Sequence, residues 1–214
     1  LVEPMHHIGT VPNLDAITTI AVIGLSLLAG LVSRLFVFSL HKTHHIFAKI
    51  ENAYVRAIVG AAIIIVLTLL VGNQDYNGVG SKMIERSLSG DVPIYAFLLK
   101  ILFTAITLSA GYKGGEIIPS LIIGATLGSA FGTIFGLPAG LWAEVGMVAV
   151  FCGVTNCPIT SLLIGFELFN FQASSFLLIA VAISYIVSGY SGLYKAQMII
   201  FSKTSRTRIE RNTN

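Results

Sequence analysis

The chain has 214 residues, 55% of them hydrophobic and only 11% charged, with a mean hydropathy of +0.85. A water-soluble domain carries roughly 25% charged residues; here the charges gather in short patches, as in a bilayer protein, where a charge at mid-depth costs about 3 kcal/mol. The net charge of +3 comes largely from segment ends and from Lys203, Arg206, Arg208 and Arg211, with no run dense enough for a nucleic-acid groove.

The chain opens on Leu1-Val2-Glu3-Pro4, without an initiator Met or the layout of a signal peptide, and reads as a segment of a longer protein. Residues 14–40 form an apolar stretch interrupted by Gly24, Gly30 and Arg34. That length crosses a hydrocarbon core of about 30 Å with some tilt. His41-Lys42-Thr43-His44-His45 reads as an interfacial turn, and 53–71 as a second span. A turn-rich loop follows at 72–80, in which Asp75 reads as a turn former. Ser81 is expected to cap a short amphipathic helix over 81–89, and a third span runs from 93 to 112.

After Tyr112 the pattern breaks into apolar stretches at 117–135, 139–154 and 157–170, separated by Gly, Pro and Asn. Several are near or below the length of about 17 residues that a straight span needs. Such segments are expected to stop part-way through the bilayer, where protein or a polar cavity receives their ends. A further span covers 173–190, and a last helix is expected from Ser191 into the basic tail. The predicted fold is all-α and multi-pass, with tilted and partly spanning helices. Residues 1–203 form the transmembrane part, and 204–214 form a basic tail on the cytoplasmic side.

Gly114-Gly115-Glu116-Ile117-Ile118-Pro119 leads into a Gly-rich apolar helix. The glycines permit a tight turn, and Pro119 suits a first helical turn because its missing N–H would be unpaired there. The free N–H groups of Glu116, Ile117 and Ile118 then face outward at the positive end of the helix dipole, an anion site without formal charge. The same residues also fit a plain loop between spans. Gly189-Tyr190-Ser191-Gly192-Leu193-Tyr194 places a tyrosine after a Gly-rich break. Its hydroxyl suits either an anion or an interfacial anchoring role.

Three motifs in register extend this reading. The stretch from Gly114 to Gly128, the run Gly153-Val154-Thr155-Asn156-Cys157-Pro158-Ile159-Thr160 with Gly165-Phe166-Glu167, and Gly192-Leu193-Tyr194 together resemble CLC chloride channels and transporters. The similarity runs loosely from residue 10 to residue 203 and matches the second half of the family's inverted repeat. The resemblance implies Glu116 and Ile117 as backbone amide donors to the anion and Tyr194 as a hydroxyl donor. It also implies a homodimer, with helices around 14–34, 157–170 and 173–190 at or near the interface. The partners expected are chloride and the lipid bilayer, in a bacterial plasma membrane.

Two departures stand out. Glu116 occupies a position that is usually apolar in the family, although a fluoride-exporting branch looks similar at Gly-Gly-Glu; that branch tends to lack the tyrosine present here as Tyr194. The carboxylate could turn away, cap its helix or compete with the anion. The family's gating glutamate and serine segments have no counterpart in this chain, so it is not expected to conduct alone. Fluoride export and a non-transporting membrane scaffold remain as alternatives.

The other candidates carry less. His6-His7 and His44-His45 lack a third ligand at helical spacing and read as polar loop residues, so neither metal nor cofactor is expected. Glu167 lies inside an apolar stretch and is open to a functional or a pairing role. Glu144 beside Trp142 reads as a solvated helix end, and Cys152 and Cys157 as inert packing residues. No Gly-x-Ser-x-Gly, His-Glu-x-x-His or phosphate-loop pattern argues for an enzyme.

Overall fold

The computed structural model describes residues 13–171, 173–194, 196–203, 205 and 207–213; His6, His7 and Arg206 lie outside them. Among the described residues the helices are α1 (Ala16–Phe47), α2 (Ala53–Val71), α3 (Ser81–Leu88), α4 (Ala96–Ser109), α5 (Ile117–Ile134), α6 (Ala139–Thr155), α7 (Pro158–Phe169) and α8 (Ser174–Val187). Two short antiparallel strands follow, β1 (Met198–Phe201) and β2 (Arg208–Asn212). Helices α1, α2 and α5 are long and apolar enough to cross a membrane, and α4, α6, α7 and α8 are shorter and apolar. Local chemistry sets these boundaries. Asn52 caps α2 by accepting from Tyr54 N at 2.9 Å, and Gly72 ends it with φ 76°. Asn156 and Asn170 end α6 and α7 with φ 56° and 50°, a conformation asparagine tolerates better than most residues.

Helix α6 is the axis of the core, with every residue from Leu141 to Thr155 buried. Helices α1, α3, α5, α7 and α8 pack around it. Its contact with α5 is backbone against backbone. A Cβ on Gly124 would lie 2.6 Å from Met147 Cα, and one on Gly146 would lie 2.9 Å from Gly128 Cα. The two helices are therefore antiparallel and joined along a small-residue stripe, the close packing that Gly-x-x-x-Gly allows. On other faces, Ser33 Oγ of α1 donates to Val150 O at 3.1 Å, and Ser184 Oγ of α8 donates to Ala149 O at 2.6 Å.

Four expectations are corrected. Residues 41–45 do not turn: α1 continues through them, because no Gly or Pro interrupts it and His44 and His45 suit the negative end of its dipole. Ser81 is the first residue of α3, and the cap position is Gly80 with φ 75°. Gly80 sits so close to the Lys100 Nζ that an added Cβ would be 3.0 Å away. No helix starts at Ser191; the chain is tied down there and then pairs β1 with β2, across the 203/204 boundary. The β-branched and aromatic run Ile199-Ile200-Phe201 favours a strand. Glu144 is not a solvated end. It is fully buried, because α6 begins a full turn earlier at Ala139 and is enclosed by the helices packed around it.

Candidate anion site

The start of α5 is bare. Glu116 is the cap residue, yet its side chain makes no capping hydrogen bond. The capping alternative for that carboxylate is therefore set aside. Ser120 N donates to Glu116 O at 3.1 Å, which makes Ser120 the first residue to close the helical ladder. The N–H groups of Glu116, Ile117 and Ile118 precede that bond, and Pro119 has none, so the helix leaves those three donors without an internal acceptor. Ile117 and Ile118 are exposed and Glu116 is half-buried.

Gly114 and Gly115 do not make the expected tight turn. Neither has a left-handed backbone; the chain reverses earlier, at Gly111, with φ 97°. Gly114 serves close approach, since a Cβ there would meet Leu108 Cδ2 at 3.1 Å, and Gly115 faces open space.

Tyr194 stands at the same end of the α5–α6 pair. The antiparallel contact puts the first turn of α5 level with the last turn of α6. The tyrosine segment is bonded to that last turn: Leu193 N donates to Val154 O at 3.0 Å, and Gln197 Nε2 donates to Thr155 O at 3.1 Å. Tyr194 is 46% exposed, and its hydroxyl makes no hydrogen bond among the described residues. Its carbonyl is taken up by Gln197 N at 2.9 Å and by Thr213 Oγ1.

A cavity of about 220 Å³ lies against the first turn of α5, lined by Gly114, Gly115, Ile118 and Pro119 together with Lys113 and the loop around Tyr76. Glu116, Ile117 and Tyr194 are outside its lining. The loop wall is pinned by Lys100 of α4, only 1% exposed, whose Nζ donates to Tyr76 O at 3.2 Å and Gly78 O at 3.1 Å. Asp75 lies in a turn, as expected, inside the Gln74–Asn77 reversal closed by Asn77 N donating to Gln74 O at 3.0 Å, and its carboxylate also pairs with Arg86 Nη1 at 2.6 Å.

Comparison with known proteins agrees with this architecture. The family described as voltage-gated chloride channel matches residues 2–189. The chain belongs to that family. Among curated CLC-family relatives, it is 33% identical over 213 residues to a chloride/fluoride channel protein of Pseudomonas syringae pv. tomato, covering 96% of this chain and 47% of that protein. It is 26% identical over 176 residues to an H(+)/Cl(-) exchange transporter of Klebsiella pneumoniae, covering 76% of this chain and 37% of the relative. A crystal structure of a CLC-type fluoride/proton antiporter superposes with a TM-score of 0.82 at 29% identity, over 87% of this chain and 48% of that one. This CLC chain thus spans about half the length of the relatives it matches.

Sequence reasoning passed over Lys100, Lys203 and the fixing role of Asn156. A lone lysine inside the apolar run 96–109 was the available signal for Lys100, because an intramembrane cation needs acceptors that a helix interior does not supply. Among the described residues no three His, Cys, Asp or Glu converge on a metal position. Cys152 and Cys157 are free thiols.

Proposed function

We propose that the full-length protein carries chloride across a bacterial plasma membrane, by exchange for protons or as a passive pathway. In this reading the present chain supplies one wall of the anion site. The observation that carries it is the uncapped start of α5, with three N–H donors free of helical partners, at the same end of the helix pair as the Tyr194 hydroxyl. Neutral donors of this kind bind an anion without the tight hold of a full positive charge, so the ion can leave again. The protein acts without covalent chemistry. It is a homodimer in which the apolar stripe of α7, where Ile159 is 74% and Leu163 61% exposed, faces a second copy or lipid. Residues 204–214 lie on the cytoplasmic side.

Fluoride is the second reading, favoured by Glu116. A half-buried carboxyl that caps nothing sits beside the free amides. When protonated it adds an O–H donor, which suits a small, strongly accepting halide. The chloride/fluoride and fluoride/proton names of two relatives point the same way.

Halide efflux from liposomes holding the full-length protein decides between these readings. Chloride efflux that falls on Tyr194→Ala supports the first. Fluoride efflux that falls on Glu116→Ala while chloride stays slow supports the second. A folded protein that moves neither halide overturns both and leaves a membrane scaffold.

A further inference from the structure

Lys203 is part-buried outside the membrane-spanning helices, and among the described residues its ammonium has three acceptors: Asn156 Oδ1 at 2.5 Å, Tyr185 O at 2.8 Å and Ser188 Oγ at 3.2 Å. It also lies 4.0 Å from the centroid of the Tyr185 ring. A lysine ammonium has three N–H donors, so the set is matched one to one. Two of these partners belong to the end of α8 and its cap, where carbonyls lack helical donors and a cation is favoured. The third is the left-handed residue that ends α6.

Asn156 is held from both sides. Its Oδ1 accepts from Lys203, and its Nδ2 donates to Ser191 O at 2.7 Å. A cation on one side fixes which end of the amide is oxygen, and so directs the NH2 group at the backbone that leads to Tyr194. Two residues on, Leu193 N reaches Val154 O. Gly192 between them leaves no room for slack, since an added Cβ would lie 2.8 Å from Asn156 Nδ2. Lys203 N in turn donates to Tyr190 Oη at 3.4 Å, at the start of the same segment.

We infer that Lys203 is a positioning residue for Tyr194: through the amide of Asn156 it clamps residues 190–194 onto the joined ends of α6 and α8. The inference rests on the proposed role of Tyr194 for its effect on transport, but not for the clamp itself. Among the described residues, the titratable groups facing the ammonium are Tyr185 of α8 and Cys152 of α6, while the Tyr190 hydroxyl meets the backbone N–H of Lys203. Desolvation by burial lowers the Lys203 pKa to about 8, with the Cys152 thiol opposing it. Loss of the proton leaves two donors and a lone pair facing three acceptors. The clamp is therefore complete below pH 8 and loosens as pH rises through that value.

The test uses the full-length protein in detergent and in liposomes. In the wild type, protection of the Leu193 amide from hydrogen exchange, corrected for intrinsic rate, should fall between pH 7 and pH 9. Lys203→Met should lose that protection at pH 7 and slow halide efflux about 10-fold, as loss of a charged hydrogen bond does. Lys203→Arg, which keeps its charge across this window, should hold protection and flux level to pH 9. If the longer guanidinium does not fit, Asn156→Asp provides a second route: it keeps an acceptor for Lys203 but removes the donor to Ser191 O, and should match Lys203→Met. Leu193 protection unchanged in Lys203→Met and in Asn156→Asp overturns the clamp, whatever the flux. Lost protection with no wild-type efflux of either halide leaves the clamp standing and removes the transport reading instead.

Discussion

Gly128 of α5 lies against the Trp142 carbonyl group of α6, so that a Cβ on it would fall 2.6 Å from the carbonyl carbon. Neither backbone can move aside, because α6 is enclosed on its remaining faces. Gly128→Ala is expected to force the pair apart and to destabilise the fold by about 1–3 kcal/mol. Gly24, where an added Cβ would meet only the Phe131 ring at 3.8 Å, is the control. Thermal unfolding in detergent should show a drop for Gly128→Ala and almost none for Gly24→Ala. Equal melting of the two would mean that the glycine stripe does not set the helix spacing.

Tyr194→Phe removes one hydroxyl and little else, because the backbone of that residue is held by Gln197 and Thr213. Halide binding to the full-length protein should weaken about 10-fold, the value of one hydrogen bond to a charged acceptor. Calorimetric titration measures it. Unchanged affinity would assign the tyrosine to the interface and not to the ion.

Lys100→Met leaves the carbonyls of Tyr76 and Gly78 without their buried donor. Leaving a buried acceptor unpaired costs roughly 1–3 kcal/mol. The cost should appear locally, as protease cleavage within residues 73–79 that the wild type resists. Resistance retained in the variant would show that the Asp75–Arg86 ion pair alone suffices to hold the loop.

Both carboxyl oxygens of Glu144 are buried and without a hydrogen-bond partner among the described residues. A group of similar volume that needs no partner should be better tolerated there. Glu144→Met is expected to raise stability by about 1 kcal/mol or more. A lower melting temperature for Glu144→Met would mean that the carboxyl has a partner that only the full-length protein supplies.

Much of the fold was legible because its boundaries are written locally. Residues 53–71 stand out as one apolar run between Asn52 and Gly72, and α2 has those limits. The Asn156-Cys157-Pro158 break separates α6 from α7 for reasons each residue carries in itself, a left-handed cap followed by a proline that starts a helix. What was not legible depends on partners far away in sequence. Glu144 looks like a surface residue until the helices packed around α6 cover it, and Ile199-Ile200-Phe201, though suited to a strand, has no visible partner until the 208–212 segment pairs with it. The start of α5 could be read from Pro119. Its placement at the same end as Tyr194 came from family resemblance, since only the antiparallel α5–α6 contact and the Leu193 bond bring it about.

The short turn between α5 and α6 has a consequence for biosynthesis. The two helices are consecutive in the chain and close on each other through their own glycines, so this hairpin can form as soon as α6 has left the ribosome. Residues 190–194 are translated later and settle onto a surface already built. A frameshift or truncation just downstream of Asn156 would leave the α5–α6 contact its own glycines, but would remove α7 and α8 along with the tyrosine and so uncover two faces of α6.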